Sequence, residues 1–298
     1  MACLTPFLAT GYQLFVLSSI AIYAIAILGL NILAGFNGQI SLGQGAFFAA
    51  GAYVTGILLA NEAAPYWVAI PVSAAGCFAL GFLFGFPALR LERIYLGLAT
   101  FALAVTAPYL LKSHALEPWT GGVQGLLLSK PHAPSPLKLT DDQWLYLLCI
   151  TIAAVMFGTG RNIVTGRIGR ALLAIRDNPT AAEAMGINLA ITKSTAFAVA
   201  ALYAGLAGSL SALATEFISP DTFSVALSIS LLVGSVVGGN TSILGAPFGA
   251  AFVVLLPNVV DEISKAAPSA IFGAILIGIV LMAPTGMAGL AARFRRQI

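Results

Sequence analysis

Three groups of residues in this sequence have types and spacings suited to recognition. The first is a charged stretch, residues 161–189, carrying Arg161, Arg167, Arg170 and Arg176 with Asp177 and Glu183. Basic residues on short helices dock onto lipid headgroups or into the groove of a partner protein. The second is an uncharged polar run, Phe36-Asn37-Gly38-Gln39-Ile40-Ser41-Leu42-Gly43-Gln44-Gly45, and the third is Gly238-Gly239-Asn240-Thr241-Ser242-Ile243-Leu244-Gly245. Glycine-interrupted apolar segments in a pair are a sequence pointer to a transport site. A helix restarted at such a break exposes N–H groups whose positive end attracts carboxylates. Asn37, Gln39, Ser41 and Gln44, with Asn240 and Ser242, are therefore candidates for a translocation path. A short turn at the membrane surface is the other reading of the same residues.

Enzyme chemistry finds little footing. No carboxylate pair, histidine cluster or nucleophile–base set stands out, and His114 and His132 both fall in one polar segment. None of the five lysines follows a glycine, so the phosphate-binding loop of ATPases is missing from the sequence. Cys3, Cys77 and Cys149 are scattered and odd in number, which predicts neither a disulfide framework nor a metal cluster.

The elements that must position these residues are set by composition. Of 298 residues 59% are hydrophobic and only 8% charged, and the first charged side chain is Glu62. Soluble domains carry about 25% charged residues, so the chain is read as an all-α polytopic membrane protein. Continuous apolar runs, rather than ten-residue alternation, select helices over a barrel. Helices are predicted near 11–35, 40–61, 66–88, 94–112, 143–160, 190–214, 224–239, 243–260 and 268–290, which is about nine crossings. The N-terminus carries no basic region and predicts no cleaved signal peptide.

Charge then sets the orientation. With 161–189 inside, ten of the fourteen basic residues are inside: Arg90, Arg93, Arg161, Arg167, Arg170, Arg176, Lys193, Arg293, Arg295 and Arg296. Lys112, Lys130, Lys138 and Lys265 are outside. This predicts the N-terminus outside and the C-terminus in the cytoplasm. Residues 112–142 become the longest outer segment. It holds a glycine-rich piece, 119–125, and Pro131, Pro134 and Pro136, and reads equally as a linker or as a contact for an extracytoplasmic partner. No Asp, Glu, Arg or His falls in the middle of a predicted span, which argues against a proton-coupled carrier. The pairs Gly81/Gly85, Gly234/Gly238 and Gly245/Gly249 predict close helix packing.

The charged stretch itself predicts two short helices. Ile168, Leu172 and Ile175 form an apolar stripe over 167–176. Asn178 suits the N-cap, Pro179 the first helical position and Gly186 a left-handed stop. A helix of about seven residues is marginal alone and needs a surface to hold it.

Taken in order, several blocks resemble a known family: Gly29-Leu30-Asn31, Gly38 through Phe47, Gly51-Ala52-Tyr53, Leu98 through Phe101, Thr120 through Leu126, Gly169-Arg170, Ala174 through Asn178, Ala181-Ala182, Gly186-Ile187-Asn188, Lys193 and Ser228 through Gly249. The chain resembles permease subunits of the ABC importers for branched-chain amino acids, of the LivM type, along nearly its whole length. The resemblance implies one transmembrane permease domain over 1–298, in a bacterial inner membrane. Its implied partners are a sister permease, two cytoplasmic ATPase subunits that bind ATP and Mg, and an extracytoplasmic solute-binding protein, with membrane lipid around it and no nucleic acid. It also implies a coupling role for Arg170, Arg176, Asp177, Asn178, Pro179, Ala182, Glu183 and Gly186. Here Ala181-Ala182-Glu183-Ala184-Met185-Gly186 departs from the Glu-Ala-Ala…Gly order common in such importers. Relatives of this type also carry urea, short amides or aromatic acids. A carrier or facilitator working alone, and a lipid-binding scaffold, are the readings from other classes.

Overall fold

Backbone groups that find no water must pair within their own segment, and an apolar chain does this most simply as helices. The computed structural model describes residues 10–88, 93–133 and 139–263, with positions 273, 278, 286 and 287. Its helices are α1 (Gly11–Leu30), α2 (Gln44–Ala60), α3 (Tyr66–Ala88), α4 (Arg93–Leu111), α5 (Glu117–Thr120), α6 (Asp141–Thr165), α7 (Arg167–Asp177), α8 (Pro179–Ala184), α9 (Leu189–Thr215), α10 (Val225–Gly238) and α11 (Gly245–Ile263). A π-helical turn, Asn31–Phe36, prolongs α1. Strands β1 (Leu126–Leu127) and β2 (Phe217–Ile218) form one antiparallel pair.

Four segments are long and apolar enough to cross a bilayer: 11–36, 66–86, 141–165 and 189–215. Four further apolar helices are shorter. These eight lie where the sequence predicts spans; the ninth, 268–290, lies outside the described residues apart from positions 273, 278, 286 and 287. So do Arg90, Arg293, Arg295, Arg296, Lys138, Lys265, Pro134, Pro136 and Cys3. The chain is a helical, multi-pass membrane protein.

The core is α9, packed against α1, α2 and α3. Lipid gives helices no hydrophobic reason to associate, so small residues that admit close approach decide the packing. A Cβ on Gly51 would collide with the Gly205 backbone, and one on Gly208 with the Phe48 carbonyl. The three predicted glycine pairs all pack within this chain: Gly81 and Gly85 meet α9, while Gly234 and Gly238 interlock with Gly249 and Gly245.

Two differences from the predicted elements matter. α2 starts at Gln44, not near residue 40, which leaves residues 37–43 without helical structure. α6 runs on to Thr165, so the stretch between the long helices is 166–188 rather than 161–189. Its N-terminus is fixed by a capping box, Thr140 with Gln143.

At the end opposite α7 and α8 lie the described residues of the 112–142 segment, 112–133 and 139–142. Gly121, Gly122 and Gly125 adopt positive φ and lead into β1, which pairs with β2 beyond α9. Lys130 clasps Asp142 at 2.9 Å and Glu216 at 2.7 Å, joining the starts of α6 and the end of α9. The Glu216 hydrogen bond, then that of Asp142, raises the Lys130 pKa. His114 and His132 are exposed and lie 2.8 Å from Glu117 and 3.2 Å from Asp141.

Candidate functional site

α7 turns its apolar face onto the bundle, but not as the stripe predicts. Leu172 and Ile175 are buried, whereas Ile168 is 55% exposed and Gly169 takes its place. Only glycine fits there, because a Cβ would strike the Val164 backbone. α8 then forms as expected. The Asn178 Oδ1 accepts the Ala181 N–H at 3.1 Å, Pro179 opens the helix, and Gly186 takes φ +83° just after it. Ala182 alone is buried; Glu183 is exposed and Met185 is 83% exposed. The short helix therefore rests on the protein through one alanine and offers the rest of its surface outward. Glu183, Gly186 and Lys193 line an open cleft of about 500 Å³ behind it. Arg170 stays exposed, its guanidinium 3.5 Å from the Thr165 carbonyl that ends α6.

Arg176 points the other way. Its Nη1 donates to the Gly35 carbonyl at 2.8 Å, and its Nε donates to Asp177 at 3.3 Å. Its stem packs over Gly38, whose φ is +71°; a Cβ there would lie 2.8 Å from Arg176 Cγ. The charged stretch and the first polar break, remote in sequence, are thus in direct contact. Positive charge at the C-terminal end of α1 also meets the carbonyls left over there.

The first break is buried. Asn37, Gln39, Ser41 and Gln44 are at most 7% exposed, while Ile40 between them is 50% exposed. Asn37 Nδ2 donates to Gln39 Oε1 at 2.7 Å. The Leu42 N–H donates to Thr100 Oγ1 at 3.0 Å, the Gly43 N–H to Ser41 Oγ at 3.3 Å, and Gln44 Nε2 to the Ala200 carbonyl at 3.4 Å. Ala200 lies well inside α9, about 16 Å from its start at 1.5 Å per residue. α2 therefore begins beside the middle of α9. There its first turn meets the first turn of α10, where the Gly45 N–H donates to Ser228 Oγ at 2.9 Å.

The second break is a tight turn, closed by Ser242 N–H to Gly239 O at 2.9 Å and Gly245 N–H to Ser242 O at 3.3 Å. It sits against the first. Gly35 abuts Asn240, leaving no room for a Cβ. Asn31 binds both sides of the turn: its Nδ2 donates to the Ser242 carbonyl at 3.1 Å, and its Oδ1 accepts from Ser235 Oγ at 2.6 Å. Two buried acceptors, Asn37 Oδ1 and Asn240 Oδ1, have no hydrogen-bond partner among the described residues. The first break thus meets the charged loop directly, and the second meets the π-helical turn that Arg176 also contacts.

The sequence profile of the family described as "Branched-chain amino acid transport system / permease component" matches residues 12–283. The chain belongs to this family. Among curated relatives, the high-affinity branched-chain amino acid transport system permease protein LivM of Escherichia coli (strain K12) is 28% identical over 290 residues, 89% of this chain and 65% of that protein. The LivM protein of Salmonella typhimurium (strain LT2) is 29% identical over 285 residues, 87% of this chain and 64% of its own length. The chain therefore spans about 65% of the length of the curated relatives it matches. No solved structure matches it significantly.

The structure adds Asn31, Gly35, Thr100, Ser228 and Ser235 to the residues around the breaks. Asn31 and Thr100 stand as single polar residues among apolar neighbours, and Ser228 and Ser235 lie within the apolar run of α10. Polar groups inside a membrane need partners, so these isolated positions are themselves a signal, one that a search for polar clusters passes over.

Proposed function

We propose that this permease-family chain is the membrane-spanning subunit of an ATP-driven importer for branched-chain amino acids in a bacterial inner membrane. The observation that carries this reading is the α7–α8 pair: one face seated on the bundle, the capped α8 facing outward. A six-residue helix held by a single buried alanine suits a cleft on another protein. Two cytoplasmic ATPase subunits fill that role and bind the ATP and Mg, with a sister permease beside this chain and a solute-binding protein on the far side. Arginines gather at the α7–α8 end, which supports a cytoplasmic location for that end and an N-terminus outside.

The solute reading follows from the breaks. Converging first turns of α2 and α10 favour a carboxylate, and unpaired Asn37 and Asn240 oxygens suit an ammonium. Apolar surroundings suit a hydrocarbon side chain. Motion of α8 driven by ATP switches the spans between outward and inward openings.

The test is uptake of labelled leucine into proteoliposomes by the chain with its genomic neighbours, with and without ATP. Uptake that needs ATP and the ATPase subunits supports the importer; uptake by the chain alone, without ATP, makes it a facilitator. Reversing both exposed charges, Arg170→Glu with Glu183→Arg, is expected to abolish uptake while leaving the protein in the membrane, and normal uptake by that variant counts against α7–α8 as the docking element.

A further inference from the structure

Arg176 differs from every other arginine of the charged stretch in where its side chain goes. Arg161, Arg167 and Arg170 are exposed, whereas Arg176 is half-buried and spans from α7 to the π-helical turn after α1. Its planar guanidinium divides between Gly35 O and Asp177, and its aliphatic stem fills the space above Gly38. Beyond Gly35 the contact continues into Asn240, and through Asn31 into Ser242 and Ser235. Arg176 therefore links α7 to the π-helical turn and, through it, to the second break. π-Helical turns are rare and recur at functional sites, and this one receives the Arg176 contact.

We infer that Arg176 is a positioning residue that ties the α7–α8 loop to both polar breaks, so that movement of the loop is passed to residues 35–44 and to Asn240. The inference rests on the importer reading for its consequence but not for its geometry. Its role is transmission, with no contact to an ATPase subunit: the guanidinium is engaged within the chain. Gly38 is part of the device, because its positive φ and missing Cβ admit the arginine stem. Lysine keeps the charge but offers a point donor in place of the guanidinium fork.

The experiment uses the complete importer in proteoliposomes and compares wild type, Arg176→Gln and Arg176→Lys for solute uptake and ATP hydrolysis in the same vesicles. In Arg176→Gln the ratio of uptake to hydrolysis is expected to fall about tenfold or more, the equivalent of losing one charge-assisted hydrogen bond, while hydrolysis persists. Arg176→Lys restores part of the ratio. A merely structural arginine would lower both rates together, with the amount of assembled protein, and that result, or an unchanged ratio, overturns the inference. A second measurement needs no partner: an Asn37→Cys variant is labelled by a membrane-impermeant maleimide from the α7–α8 side. Adding Arg176→Gln is expected to speed labelling severalfold, and equal rates overturn the tie. If wild type shows no ATP-dependent uptake, the importer reading fails and the labelling alone decides the role of Arg176.

Discussion

The two polar breaks share a composition of glycine, asparagine and serine, yet they are different structures. Residues 37–43 lead from the Arg176 contact at Gly38 to the start of α2, with Asn37, Gln39 and Ser41 buried, Leu42 hydrogen-bonded to α4, and Gln44, which opens α2, bonded to α9. Residues 239–244 close into a tight turn whose side chains stay half-buried or exposed. The second break is a closed turn between two helices, whereas the first leads to a helix start inside the bundle. The difference lies in what surrounds them. The gaps are nearly equal, seven residues before α2 and six between α10 and α11; α2 restarts beside α9 and α10, whereas Gly238 and Gly245 touch and let α10 and α11 fold back on each other.

The largest effect is expected where the breaks meet. Gly35→Val drives a branched side chain into the Asn240 backbone, and overpacking of this kind costs about 3 kcal/mol or more; thermal unfolding in detergent should show a sharply lowered midpoint or a failure to accumulate. A wild-type midpoint would mean that the two breaks do not touch. Next is Asn31→Leu, which removes two buried hydrogen bonds and leaves the Ser235 hydroxyl unpaired, at a cost of about 2 kcal/mol in the same assay. Ser228→Ala frees the Gly45 N–H at the start of α2 and should cost about 1 kcal/mol. Ser242→Ala, by contrast, should stay within about 0.5 kcal/mol of wild type, because Asn31 binds the Ser242 backbone carbonyl rather than its side chain. Equal penalties for Ser228→Ala and Ser242→Ala would erase the distinction between the breaks.

The smallest effect lies at the far end and serves as its control. The Lys130 pKa is raised by Glu216 and Asp142, so its clasp contributes stability fully below the ordinary lysine value, about 10.4, and loses it as pH rises through the higher folded value. Unfolding midpoints should drop slightly above that pH in wild type and not in Lys130→Met, while the effects of Gly35→Val and Asn31→Leu stay the same at either pH.

Much of this was legible in the sequence because the determinants are local. Spans follow from apolar length, and the described helices fall where those runs lie. The α8 cap was readable from Asn178, Pro179 and Gly186, since capping joins residues three apart. The glycine pairs announced close packing for the same reason: spacing of four places them on one helix face. The stripe on α7 was misread at Ile168 because periodicity fixes a face only to within a residue, and the Val164 backbone selected Gly169 instead. Arg176 was grouped with its exposed neighbours because nothing in its local sequence distinguishes it.

The sequence by itself determined the membrane helices, the charged loop and the capped α8, all consequences of composition and short-range hydrogen bonding. Only the tertiary structure decided that Arg176 reaches Gly35, that Gly35 meets Asn240, and that α2 restarts against α9 and α10. Those contacts join residues roughly 140 to 205 positions apart, and they depend on close approach between backbones. Spacing along the chain carries no record of which glycine faces which carbonyl; helix packing in three dimensions supplies it.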